Sequence, residues 1–110
     1  LKKNIEPIDN ALEKVQYMTG VYYTPNKLAE KFGYTDKSRQ VGLIAQQVGV
    51  GVPEVIDIAP FDMDYHGNSI SGENYMTVKY EKLVPILVEA IKEQQKEIQK
   101  LMQLVEERSK

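Results

Sequence analysis

Residues 80–110 constrain this chain most. From Tyr80 onward no glycine occurs, Pro85 is the only proline, and strong helix formers fill the remainder. The pattern predicts a helix from about Glu81 to Glu107, about 40 Å long at 1.5 Å rise per residue. The small domain left over cannot cover that length, so the far end needs another partner. Val84, Leu87, Ile91, Gln94, Ile98, Leu101 and Val105 are separated by 3, 4, 3, 4, 3 and 4 residues, the a/d alternation of a coiled coil held for three heptads. Val88 and Met102 widen the stripe at e positions, which suits packing against more than one neighbour. Gln94, at d, is the polar interruption. Between like helices its amide bonds only its own copies, so a shifted register leaves it unsatisfied and Gln94 sets the alignment.

Leu83 to Ile91 also fit a helix folded back on the chain's own strands. Beyond Gln94 that arrangement fails, because an antiparallel return needs a second long helix and residues 10–18 supply only about three turns. Parallel self-association is the expectation. The a/d identities do not choose between two and three strands: β-branched a with Leu at d favours dimers, whereas the broad stripe favours more.

Ahead of the helix the reading is a small α+β part, residues 1–79, making with residues 80–110 a single domain. Asp9 is a good N-cap, and Ile8, Leu12, Val15 and Met18 recur at helical spacing, predicting a short helix over Asn10 to Met18. Gly20 stands where a left-handed C-terminal residue is wanted, and Val21 to Thr24 reads as a strand. Residues 25–38 read as a polar loop with one helical turn. Arg39 to Ile44 is strand-like, and Ala45 to Val48 begins a helical turn that Gly49 and Gly51 are expected to stop. Glu54 to Ile58 and Tyr75 to Val78 are further strands, joined by a turn-rich connection over residues 59–74.

Composition excludes several classes of function. The chain has 110 residues, 42% of them hydrophobic and 27% charged, which is ordinary for a globular protein. Fourteen Lys and Arg against sixteen Asp and Glu leave a net charge of −2, too little positive charge to collect a nucleic-acid backbone. The longest apolar stretch, Leu83 to Val88, is far short of the roughly 20 residues that span a bilayer, so no membrane is expected as a partner. Without cysteine there is no disulfide, thiolate nucleophile or Cys-based zinc site, and one histidine leaves few ways to build an imidazole site. No metal and no cofactor are expected. His66 lies near Asp62 and Asp64, but no further ligand spacing supports a cation site and a solvated loop explains them better. Tyr22, Tyr23, Tyr75 and Tyr80 fall in or beside strands, where half-buried aromatics are expected. Gly49-Val50-Gly51 lacks the lysine and further glycines of a nucleotide-binding loop, and no Ser-His-Asp arrangement occurs.

Four blocks resemble one family. They are Leu1-Lys2-Lys3-Asn4-Ile5-Glu6-Pro7-Ile8, Ala11-Leu12-Glu13-Lys14-Val15, Arg39-Gln40-Val41-Gly42-Leu43-Ile44-Ala45-Gln46, and the run from Tyr80 to Glu93. In this order they resemble the endosialidase-type intramolecular chaperone, the C-terminal self-cleaving domain of bacteriophage tail spikes and tail fibres. The resemblance implies a homotrimeric folding module: three copies join the ends of three fibre chains, align them, and are then cut off. It implies action in the host cytoplasm during virion assembly and release from the finished fibre. In that family the cut lies at a serine in a Ser-Asp-x-Arg-x-Lys pattern, and the lysine forms a Ser/Lys dyad with it. Lys2 matches that lysine, and the serine would fall ahead of Leu1, so the chain reads as a released piece that does not cleave alone but is a single-turnover serine endopeptidase in its precursor. Arg39, Gln46 and Gln47 are the expected surroundings of the dyad. The residue after Gln46 is often Glu in the family, whereas Gln47 stands here. A lysine amine has a reference pKa of about 10.4 and accepts a serine proton at neutral pH only after burial or a nearby cation lowers that value. Two alternatives remain in view: a permanent, uncleaved trimerisation or adhesion tip, and the related domain of membrane-bound transcription factors.

Overall fold

The computed structural model describes residues 1–33 and 35–109 and has an α+β architecture that ends in a long helix. In chain order come α1 (Ala11–Gln16), β1 (Gly20–Tyr23), α2 (Lys27–Lys31), β2 (Gln40–Leu43), α3 (Ala45–Gly51), β3 (Ile56–Ile58), β4 (Met76–Val78) and α4 (Leu83–Ser109). Single 3₁₀ turns at Pro53–Val55, Pro60–Asp62 and Tyr80–Lys82 punctuate the second half. The strands form two antiparallel pairs. β1 faces β2 with Tyr22 opposite Val41, and β3 faces β4 with Asp57 opposite Thr77. No described helix is long and apolar enough to cross a membrane.

The core lies where α1, α3 and the head of α4 meet. Ala11, Val48, Val52, Val55, Val78, Leu83, Ile86 and Ala90 are buried there, with Ile8, Leu12, Val15 and Leu43 packed around them. α4 therefore rests chiefly on α1, not on the strands as its amphipathic start suggested.

Several local expectations give way to tertiary packing. α3 does not stop at Gly49 but runs through to Gly51. The reason is close approach: a Cβ on Gly51 would lie 3.2 Å from Cβ and Cγ of Lys14, so its bare backbone lets α3 press on α1, outweighing its poor helix propensity. Gly20 opens β1 without a left-handed backbone, and Asp9 does not cap α1 but pairs with Lys14 at 3.8 Å. Asn10 takes the cap position with φ 50° and gives no side-chain cap. Tyr22, Tyr23 and Tyr80 are more exposed than strand aromatics were expected to be, since each two-stranded sheet leaves much of its surface uncovered. Tyr75 does pack, with its ring 5.7 Å from Phe32 and 5.9 Å from Phe61.

Tyr80 ties the first sheet to the long helix. Its hydroxyl accepts the Leu43 N–H at 3.1 Å, and its ring end sits over Gly42, where an added Cβ would be 2.9 Å from Oη and 3.1 Å from Cε1 of Tyr23. Gly42→Ala should push Tyr80 off this bond and destabilise the chain by about 1–3 kcal/mol, read as a lower urea midpoint with an unchanged slope.

Candidate functional site

α4 has two apolar faces with different fates. Leu83, Ile86 and Ala90 are buried against the chain's own core, and Glu93 is half-buried on the same side. Val84, Leu87, Ile91 and Gln94 each follow one of these by one residue, a rotation of about 100° round the helix. That rotation turns them outward. Val84, Leu87, Ile91, Ile98, Leu101 and Val105 are all at least 43% exposed, and Gln94 is exposed with them. Val88 and Met102 join the same surface. The heptad stripe is therefore free along its whole length, including the part that was expected to fold back. From residue 94 to 109 every described residue is exposed. An exposed apolar stripe of this length, interrupted only at Gln94 among the a/d positions, is the kind of surface that association covers.

The N-terminal segment reaches the same helix by another route. Lys2 and Lys3 are exposed, the chain turns at Asn4 with φ 55°, and half-buried Ile8 anchors it on the core. Residues 6–9 then border a groove shared with Glu54, Lys82 and Pro85 at the head of α4. At Ala11 the segment enters α1, whose first N–H groups have no cap from nearby sequence. Glu93 supplies it: Oε2 accepts the Ala11 N–H at 2.7 Å and the Leu12 N–H at 3.2 Å. A carboxylate at a helix N-terminus satisfies open donors and meets the positive end of the helix dipole. Sequence reasoning missed Glu93, because its c position in the heptad reads as solvent-facing.

The other expected site residues are dispersed. Arg39 stacks on Tyr22, with its guanidinium carbon 3.8 Å from the ring centroid, a cation–π contact. Gln46 is exposed beside a shallow apolar groove with Val50, Ile56 and Met76. Gln47 is half-buried, and its Oε1 has no hydrogen-bond partner among the described residues. No hydrogen bond or ion pair links Lys2 to Arg39, Gln46 or Gln47 among the described residues.

In the long connection, the acids near His66 are engaged by the loop itself. Asp64 Oδ1 accepts the N–H groups of His66 and Asn68 at 2.8 and 2.9 Å. Asp62, buried, accepts the Ser69 hydroxyl at 2.6 Å and the N–H groups of Ser71 and Tyr75 at 2.9 and 3.3 Å. The Ser69 bond above all, with the Ser71 and Tyr75 bonds, holds the Asp62 carboxyl below the usual range against the opposing effect of burial. Its charged form is thus favoured in the folded state, and that stability is present above the ordinary carboxylate pKa of about 3.9 and lost as pH falls through the lowered value. Asp62→Asn should melt lower than wild type at pH 7, and the gap should narrow as thermal scans are moved below about pH 4.

A family model for the chaperone of endosialidase matches residues 1–57, from the N-terminal segment through α3 into β3. The long tail fiber protein Gp37 of Enterobacteria phage K3 and that of Enterobacteria phage T2 are each 35% identical over 92 residues. Those matches cover 84% of this chain and 6% of each relative, so the chain spans a small fraction of the length of the curated relatives it matches.

Proposed function

This chain belongs to the chaperone-of-endosialidase family, and on that premise we propose that it trimerises and aligns a phage tail fibre or spike during folding. The observation that carries the reading is the heptad stripe of α4, exposed from Val84 to Val105 on a side of the helix that its own domain does not use. Three copies seated on that stripe bury its apolar residues and let the Gln94 amides bond one another. Their client is the upstream fibre chain, aligned in the host cytoplasm as virions assemble. The relatives' description as long tail fibre proteins supports such a client.

The finer step is release. In the precursor a serine ahead of Leu1 attacks the carbonyl of the residue before it while the Lys2 amine takes the hydroxyl proton; the C–N bond breaks, the freed amine takes that proton from Lys2, and water then hydrolyses the ester. Lys2 lies exposed in the single chain. The desolvation a lysine base needs is then supplied by the upstream residues or by a neighbouring copy, which delays cutting until assembly. Sedimentation equilibrium tests the trimer first: the species should weigh three times the 12.6 kDa chain at micromolar concentration, and a monomer there overturns the reading.

A further inference from the structure

We infer that Glu93 is a positioning residue that couples the long helix to the segment carrying Lys2; this rests on the release step proposed above. Glu93 is the last residue of α4 that is not exposed, so it marks where the helix leaves its domain. One residue on, Gln94 begins the fully exposed stretch, and Ile91, on the same turn, belongs to the free stripe. From that turn the carboxylate reaches across 82 positions of sequence to hold Ala11 N–H at 2.7 Å. Asn10, left-handed and without a side-chain cap, offers no local substitute.

The linkage has a direction. An exposed helical extension with no tertiary partner frays, and fraying back past Gln94 pulls Glu93 from the N-terminus of α1. Seating the stripe against other copies holds that turn helical and keeps the clamp closed. Residues 9 and 10 are then fixed between two anchors, Ile8 on the core and the Ala11–Glu93 bond, and the exposed residues 1–7 that carry Lys2 start from the first of them. Assembly along α4 is thereby reported to the segment in which Lys2 must meet its serine, through one carboxylate.

The test uses a precursor with the serine-containing residues and fibre chain restored ahead of Leu1, compared as wild type, Glu93→Ala, Glu93→Asp and Glu93→Gln. The amide oxygen of glutamine still accepts both N–H groups, whereas aspartate is one methylene too short. Glu93→Gln should cut within about threefold of wild type, and Glu93→Asp and Glu93→Ala about tenfold or more slowly, all as trimers. Hydrogen exchange at Ala11 and Leu12 should rise about tenfold in the two slow variants while Val48 stays protected. Ser69→Ala, which loosens the loop around Asp62, controls for stability alone and should cut normally. Glu93→Ala cut at the wild-type rate, or slowed no more than Ser69→Ala, overturns the inference, as does Glu93→Gln cut as slowly as Glu93→Ala. A variant that fails to trimerise is set aside and the Gln-against-Asp comparison decides. If the wild-type precursor stays uncut, the release reading fails, and unchanged exchange at Ala11 and Leu12 in Glu93→Ala then overturns the clamp on its own.

Discussion

Ile98→Asp should reduce the proposed trimer to monomers at micromolar concentration, while Lys96→Asp leaves its mass unchanged. Ile98 is the first apolar stripe residue beyond Gln94 and is 43% exposed, so its surface is open to the copies that the proposed assembly would seat there. At the seam an aspartate from each chain would be desolvated beside two like charges, a penalty of about 3 kcal/mol or more per chain. Lys96 lies at an f position, facing away from the seam, and its substitution should change stability by only about 0.5 kcal/mol. Sedimentation velocity separates the outcomes. Equal masses for the two variants would contradict the register.

The second large effect concerns release. In the serine-restored precursor, Lys2→Ala should leave a trimer cut at least about 100-fold more slowly, because loss of the base blocks proton transfer while the α4 seam remains. Lys3→Ala should cut normally. Neighbouring side chains on an extended segment point to opposite sides, so the two lysines do not share the role. A gel time course with Lys2→Ala cut at the wild-type rate would remove the dyad assignment. Uncut Lys2→Ala that also fails to trimerise would give Lys2 a structural role instead.

What was legible in the sequence was whatever depends on local periodicity. The length of α4, the phase of its stripe and the short strands follow from spacing and residue type, and the structure has them within a few residues of their expected ends. What was not legible depends on contacts between distant positions. Gly49 and Gly51 look like helix stops until Lys14 is placed against Gly51. Asp9 looks like the cap of α1 until Asn10 turns left-handed and Glu93, far along the chain, takes the open N–H groups. Of the site, the stripe residues could be picked out by spacing, whereas Lys2, Arg39, Gln46 and Gln47 came from resemblance alone. Asp62 and Asp64, near His66, read better as a solvated loop than as a cation site, yet the structure buries Asp62. Only the folded loop reveals the amide and hydroxyl donors that occupy them.

A helix engaged on two sides behaves as a keyed shaft. Its domain is locked to it through Leu83, Ile86, Ala90 and Glu93, so in the proposed bundle the azimuth of each domain is fixed by the angle between the two faces. Inserting one residue between Gln94 and Ile98 would rotate everything beyond it by about 100° and split the seam into two halves that cannot close together. Inserting seven would add about 10.5 Å to the shaft and leave every domain at its original bearing. In the proposed assembly the far end of α4 should accept insertions of whole heptads, whereas an insertion in the turn that carries Glu93 should pull it from Ala11.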